Sequence, residues 1–185
     1  MIYETIVCTV NQDGTPRIVP LGIRREQGLI LLAPFRPSAT LDNLQRSGHA
    51  VVNFSTDVRI FAGCLTGRYH WPVRPADQIP GFVLQNTLAH SELELQHTEE
   101  DPVRPRFYCR EVFSATHAPF RGFNRAQAAV LEAAILVSRL HMLSADKVDR
   151  EIAYLAIAIE KTAGPEEQEA WDWLLEKIAA HRKAN

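Results

Sequence analysis

The character of the sequence changes near Phe120, and this change limits the possible folds more than any other feature. The residues before it form short runs rich in β-branched side chains, separated by turns that contain Gly, Pro or Asp. The residues after it are rich in Ala, Leu and Glu at helical spacing. Strands followed by helices are typical of an α+β protein. We therefore predict two domains, a strand domain over residues 1–120 and a helical domain over residues 121–185.

Six segments of the strand domain have the apolar runs or the alternation expected of strands. They are residues 5–10, 17–23, 29–34, 50–55, 91–98 and 106–113. Residues 11–14 form a turn that makes the first two a hairpin. Residues 40–47 are predicted as a short helix, 57–62 as a short helix or turn, and 76–84 as an irregular excursion. Short antiparallel strands with few crossovers favour a small closed barrel, since closure removes exposed edges.

Three helices are predicted in the second domain, over residues 125–143, 145–161 and 165–182. Asn124 and Ser144 are the expected N-caps of the first two helices. Apolar side chains recur every three or four residues on the last two helices, and we predict that they form the core. These side chains are Val148, Ile152, Leu155, Ile159, Trp171, Leu174, Leu175 and Ile178. The short links favour an antiparallel three-helix bundle.

Composition argues against several classes of function. A net charge of −2 over 185 residues does not suit a nucleic-acid partner, whose binding needs clustered Lys and Arg. No apolar run is long enough to cross a membrane, and the N-terminus lacks the pattern of a signal peptide. Three widely spaced cysteines fit a reducing cytoplasm better than a disulfide framework. The seven histidines lack metal-ligand spacing, so no metal site is predicted.

Residues 36–44 carry the polar groups that a phosphate site requires. They lie between two apolar segments, and Arg36, Ser38, Thr40 and Asn43 stand next to the expected start of a helix. A cation, hydroxyl donors and the N–H groups at a helix N-terminus can together hold a phosphate. The residues alone leave a second interpretation open, a polar loop that leads into a capped surface helix. The segment lacks the glycine pattern of a P-loop or a dinucleotide-binding turn.

Three short motifs in a fixed order resemble the FMN-binding split-barrel superfamily, in particular its flavin-reductase-like branch. They are Pro-Leu-Gly at residues 20–22, the loop and helix start at residues 34–44, and Gly-His-Ala-Val-Val-Asn at residues 48–53. More narrowly, these motifs, Tyr-Glu-Thr-Ile at residues 3–6 and the helical C-terminus are similar to DUF447, a family of uncharacterised flavoproteins. That family occurs in methanogenic archaea and in bacteria with methanopterin-linked one-carbon chemistry.

The resemblance implies an antiparallel split β-barrel that binds FMN, followed by a helical bundle of about three helices. It implies that Arg36 neutralises the phosphate, that Ser38 and Thr40 donate hydrogen bonds to it, and that the backbone of residues 20–22 faces the flavin ring. Leu21 departs from the many relatives that carry Ser after the strand proline, so only its backbone is expected to contribute. The full implied set is Pro20, Leu21, Gly22, Phe35, Arg36, Ser38, Thr40, Asn43 and Asn53.

Two asparagines of this set each have two alternative roles. Asn43 either binds on the phosphate side or holds the loop in place. Asn53 either bonds the flavin ring or the ribityl chain, or satisfies loop backbone at the end of a strand.

The function that the resemblance implies is a redox reaction of an FMN flavoprotein on an unknown small molecule, with a link to methanopterin one-carbon metabolism. The superfamily usually holds its flavin near a subunit interface, so a homodimer is expected. Catalytic residues stay unassigned, and His117 and Arg121 are predicted as solvated hinge residues, with a reach towards a substrate as the alternative. Two other functions stay open, a non-catalytic FMN-binding or electron-transfer module and a structural partner-binding protein.

Overall fold

Two compact units make up the computed structural model, which describes residues 1–184. The first unit contains residues 1–55 and 70–120, and the second contains residues 56–69 and the chain from Arg121 onwards. A short stretch inside the first 120 residues therefore folds with the C-terminal helices. Asn185, the last residue of the predicted helical domain, lies outside the described residues.

The first unit is a closed antiparallel barrel of six strands with a small separate sheet. Its strands are β1 (Tyr3–Val10), β2 (Pro16–Glu26), β3 (Leu29–Leu32), β4 (His49–Phe54), β5 (Val73–Pro75), β6 (Phe82–Leu84), β7 (Ala89–Glu99) and β8 (Arg106–Thr116). The barrel order is β1-β2-β3-β8-β7-β4, and β4 pairs with β1 to close it. The prediction of an α+β protein with an antiparallel barrel is confirmed.

Strand register determines which side chains fill the barrel and which lie on its outer face. Residues directly opposite each other on antiparallel strands share a face of the sheet. Val7 pairs with Val19 and Val52, and all three belong to the apolar cluster inside the barrel. The neighbouring residue Ile6 pairs with Asn53, which in turn pairs with His90. Because successive side chains alternate, this second row lies on the outer face.

The excursion between β4 and β7 covers part of that outer face. Strands β5 and β6 form an antiparallel hairpin, and the backbone N–H of Leu84 donates to the Asn53 side chain at 2.9 Å. The prediction of an irregular excursion over residues 76–84 is therefore wrong for residues 82–84. Each strand of this hairpin has only three residues, which is too short to show an alternating pattern in the sequence.

A short helix follows β3 and packs against the apolar core of the barrel. Helix α1 (Ala39–Ser47) begins after Ser38, whose hydroxyl accepts a hydrogen bond from the Leu41 N–H, so Ser38 is the N-cap. Gly48 ends the helix at φ 68°, a left-handed conformation that glycine adopts without a Cβ penalty. Leu41 and Leu44 point into the barrel core. The predicted helix over residues 40–47 is confirmed.

The second unit packs four helices around one apolar core. They are α2 (Val58–Thr66), α3 (Arg125–Ser138), α4 (Ala145–Thr162) and α5 (Pro165–Ala184). The three predicted C-terminal helices are confirmed, with one difference. The helix predicted over residues 125–143 ends at Ser138, and a separate turn of 3₁₀ helix covers Leu140–Met142.

Most of the apolar side chains predicted to form the core of the last two helices lie in this core. Val148, Ile159, Trp171, Leu174 and Ile178 are buried, and Ile152 and Leu155 pack against them. Leu175 is the exception, because it is 36% exposed. None of the helices in the described part of the chain is both long and apolar enough to span a membrane.

Cys109 on β8 offers a direct check on the barrel core. Its side chain is buried, and burial raises the pKa of its thiol to about 12. Because the thiolate is the reactive form, we expect Cys109 of the folded protein to resist a thiol reagent at about pH 8 and to react once the protein is unfolded. Peptide mapping after timed labelling measures this. Equally fast labelling in both states would contradict the buried position.

Candidate functional site

The loop that enters α1 is tied to the loop before β8. The Arg36 N–H donates to the Val103 carbonyl at 2.9 Å. Arg104 donates from Nε and Nη2 to the Ala33 carbonyl at 3.0 and 2.8 Å, and its guanidinium lies 4.4 Å from the centre of the Phe35 ring. These contacts hold the start of the predicted phosphate segment in one conformation.

The Arg36 side chain lies at the surface of this loop. Its Nη2 is 3.0 Å from Oε2 of Glu100, and the two side chains are 38% and 75% exposed. An exposed ion pair of this kind contributes only about 0–1 kcal/mol. The Arg36 guanidinium can therefore turn from Glu100 to a more highly charged anion at little cost.

Unpaired donors cluster at the N-terminus of α1. Thr40 is only 4% exposed, yet within residues 1–184 its hydroxyl makes no hydrogen bond, and neither do the N–H groups of Ala39 and Thr40. The Ser38 hydroxyl accepts from Leu41 and keeps its own proton for donation. Because these groups share one positive helix end, they form a cradle for an anion.

The Asn43 side chain bonds neighbouring parts of the barrel in this structure. Its Nδ2 donates to Oγ1 of Thr9 and to Oδ1 of Asn11, both at 3.0 Å. Its Oδ1 lies 3.4 Å from Nη2 of Arg46. With these partners, the Asn43 amide holds α1 against β1 and the turn that follows it.

Asn53 likewise satisfies backbone groups. Its Oδ1 accepts from the Leu84 N–H at 2.9 Å, and its Nδ2 donates to the Ile6 carbonyl at 3.3 Å. The residue is fully buried, so its amide links β1 to the β5–β6 hairpin. In this geometry both polar atoms of the Asn53 side chain bond backbone groups.

We expect Asn53→Ala to lower the free energy of unfolding by about 2–3 kcal/mol, because the buried Leu84 N–H and Ile6 carbonyl both lose their partner. Urea denaturation measures this loss. Asn86→Ala, at an exposed asparagine of the same segment, is the control and is expected to change stability little. A stable Asn53→Ala variant would contradict the structural role.

Residues 20–22 lie where β2 has a free edge. Strand β3 pairs with β2 only at Arg24, Arg25 and Glu26, so the backbone of Pro20, Leu21 and Gly22 pairs with β1 alone. The Leu21 side chain packs on the barrel core. Helix α1 contacts both β1 and β2. The anion cradle therefore belongs to a helix that contacts the strand with the unpaired stretch.

Gly22 has a local reason to lack a side chain. A Cβ atom at this position would lie 2.8 Å from Cγ2 of Ile2, closer than van der Waals contact allows. The space beside Gly22 is thus taken by the N-terminus of the chain.

A second polar cluster on the barrel was not predicted from the sequence. His90 and Glu92 on β7 are buried together, and His117 follows β8 and contacts His90. The sequence does contain one indication of this cluster, the His-Ser-Glu run at the start of a predicted strand. Residues two apart on a strand share a face, so the His and Glu side chains are expected to lie side by side. His117 was predicted as a hinge residue, and its contact with His90 depends on strand pairing that the sequence does not display.

Two family models together match nearly the whole chain. The N-terminal domain of "protein of unknown function (DUF447)" matches residues 3–118, and a second DUF447 model matches residues 124–176. A search of curated protein sequences found no match.

Solved structures share the fold at low sequence identity. An FMN-bound protein from Methanosarcina mazei, also of the DUF447 family, has a TM-score of 0.82 at 20% identity, over 95% of this chain and 94% of that chain. A flavoredoxin from Methanosarcina acetivorans has a TM-score of 0.54 at 14% identity, over 63% and 69% of the two chains. An FMN-binding protein from Thermus thermophilus has the same score and identity, over 61% and 69%. On the strength of the two family matches, this chain belongs to the DUF447 family.

Proposed function

We propose that this protein binds FMN, with the phosphate at the N-terminus of α1 and the flavin ring along the free edge of β2. The observation that carries the proposal is the Thr40 hydroxyl, which bonds no protein group among residues 1–184 and stands beside two unpaired N–H groups at the start of α1. A phosphate oxygen can accept from these donors, and the positive end of the helix favours its negative charge. The residues present thus fit the anionic end of FMN.

Each predicted site residue has a place in this proposal. Ser38 and Thr40 donate to phosphate oxygens, and Arg36 adds a charge-assisted bond. The backbone of residues 20–22 faces the ring, and the exposed Phe35 borders the cofactor.

Asn43 and Asn53 support the site from a distance. Asn43 fixes the position of α1, and Asn53 fixes the hairpin on the outer face of the barrel. We assign neither residue to direct contact with FMN.

We further propose that the protein is an oxidoreductase. Bound FMN supplies hydride transfer, and the protein's own groups bind and orient it. The structurally similar flavoredoxin and the NADH:FAD oxidoreductase of Streptomyces globisporus, which has a TM-score of 0.53 at 11% identity, support a redox role over a structural one. A non-catalytic FMN-binding module is the second candidate, because no residue here is assigned to a substrate.

Anaerobic mixing of the FMN-loaded protein with NADH or NADPH tests the redox part. Bleaching of the flavin absorbance, followed by repeated turnover when an electron acceptor is added, is the expected result. A flavin that binds but resists both nicotinamides would favour the non-catalytic module.

Three finer features belong to the same proposal. The unpaired stretch of β2 supports a split barrel, and the family resemblance supports a homodimer with flavin near the subunit interface. The methanopterin link rests on that resemblance alone. Three cysteines that form no disulfide within residues 1–184 support a reducing, cytoplasmic location. Sedimentation analysis with and without FMN tests the dimer.

A further inference from the structure

Glu92 lies at the buried centre of the second polar cluster. Its side chain is 0% exposed, and its two carboxylate oxygens accept from the backbone N–H groups of Asp77, Gln78 and Ile79 at 2.6, 2.7 and 3.0 Å. A ring nitrogen of His90 lies 3.2 Å from Oε1. Four partners that donate match a carboxylate, which only accepts.

The position of Glu92 determines which His90 nitrogen carries the proton. Because Nε2 of His90 faces Oε1 of Glu92, Nε2 donates. In the neutral ring, Nδ1 is then the acceptor. Nδ1 lies 2.8 Å from Nε2 of His117, so Nε2 of His117 donates and Nδ1 of His117 carries a lone pair. His117 is exposed, and Nδ1 has no hydrogen bond to any described residue.

The same atom positions also suit the protonated state. When a proton arrives at Nδ1 of His117, the bridging proton crosses from Nε2 of His117 to Nδ1 of His90. The positive charge then lies on His90, 3.2 Å from Oε1 of Glu92 and 3.6 Å from Oδ2 of Asp77. Nε2 of His117 becomes an acceptor, and Nη2 of Arg74 lies 3.5 Å from it. The pair of rings gains one proton in total, and every ring nitrogen still has a defined protonation state.

We propose that Glu92, His90 and His117 form a proton relay whose outer end, Nδ1 of His117, exchanges a proton with a neutral polar molecule bound beside it. A general acid–base group of this type needs an exposed nitrogen held in one tautomer by a buried partner. A neutral partner fits better than an anion, because the Arg74–Asp77 pair at 3.1 Å adds no net charge and the Glu92 carboxylate leaves the cluster negative. The relay does not depend on FMN binding.

The charge state of His117 suits this role. Partial burial lowers the pKa of His117 below its ordinary value, and His90 and Arg74 lower it further, while Asp77 opposes them. The ring is therefore neutral near neutral pH, with the lone pair of Nδ1 available. The charged and titratable groups around it are His90 and Glu92 on β7 and Arg74 and Asp77 in the β5–β6 hairpin.

A metal ion is the competing occupant of this cluster. Asp77, His90 and Glu92 offer ligand atoms that all lie within 4.8 Å of one another. However, three backbone N–H groups already bind the Glu92 oxygens, and Arg74 pairs with Asp77. A cation would have to displace these partners, so we favour the proton.

Nitrogen-15 NMR of the protein labelled at histidine tests the relay. We expect the ring nitrogens of His90 and His117 to shift with one common midpoint, because interacting groups titrate as a pair. His117→Gln is expected to stop the titration of His90. His97→Gln, which alters a histidine stacked on Tyr108, is the control and is expected to leave both shifts unchanged.

Reactivity gives a second readout that a purely structural contact would not change. Carbethoxylation of His117 by diethyl pyrocarbonate is expected to slow at least about fivefold in His90→Gln, since the hydrogen-bonded network no longer polarises the outer nitrogen. His117 titrating while His90 stays constant would overturn the relay. Stoichiometric binding of added Zn²⁺ at micromolar concentration, with metal-induced shifts at His90, would also overturn it in favour of a metal site.

Discussion

The double variant Arg36→Ala/Thr40→Val is expected to bind FMN at least about tenfold more weakly than the wild type, which corresponds to about 1.4 kcal/mol. Arg36 loses a charge-assisted bond to the phosphate, and Thr40 loses a hydroxyl that bonds no protein group among residues 1–184. Valine keeps the branched shape of threonine, so α1 is expected to remain folded. Quenching of flavin fluorescence on titration measures the affinity.

The control for this variant is Arg110→Ala/Thr98→Val. These residues are an exposed arginine on β8 and an exposed threonine on β7, so the same two chemical changes occur outside the proposed phosphate contacts. We expect the control to bind FMN with the affinity of the wild type. Equal FMN affinities for the wild type, the double variant and the control would contradict a phosphate site at the N-terminus of α1.

Replacing Glu92 by Gln is expected to lower the free energy of unfolding by about 3 kcal/mol or more. The amide of glutamine keeps the size of the side chain but turns an –NH₂ group towards N–H donors that have no other acceptor. Bonds to a charged group contribute about 1.5–3 kcal/mol each, and Glu92 accepts three from backbone. Urea denaturation followed by circular dichroism measures the loss.

Glu94 provides the matched control, two residues along the same strand. It forms a surface ion pair with Arg110 at 2.7 Å, and its side chain is 43% exposed. Glu94→Gln is therefore expected to cost less than about 1 kcal/mol. Similar losses for the two variants would show that the hairpin does not depend on the buried Glu92 carboxylate.

The barrel strands could be predicted because each carries its own pattern in consecutive residues. Val7 and Val52 alternate with neighbours that face the other way, and the turn before β2 is marked by Gly14. Helix α1 could also be predicted, because Ser38 is a typical N-cap residue and Gly48 a typical residue at a helix end. The β5–β6 hairpin could not be predicted, because strands of three residues are too short to show an alternating pattern.

The candidate site could be predicted only as far as it is contiguous in sequence. Ser38 and Thr40 share one helix start, so their meeting requires no tertiary information. The contact of Asn43 with Thr9 spans 34 residues, and that of Glu92 with Asp77 spans 15. Such contacts depend on strand pairing and on the path of the hairpin, neither of which any local pattern reports.

Comparison of FMN with riboflavin tests the central claim most directly, because the two ligands differ only by the phosphate. We predict that the wild type binds one FMN per chain and binds it at least about tenfold more tightly than riboflavin. In Arg36→Ala/Thr40→Val this preference is expected to shrink towards none. A wild type that binds both ligands equally, or neither, would contradict a phosphate site at the start of α1.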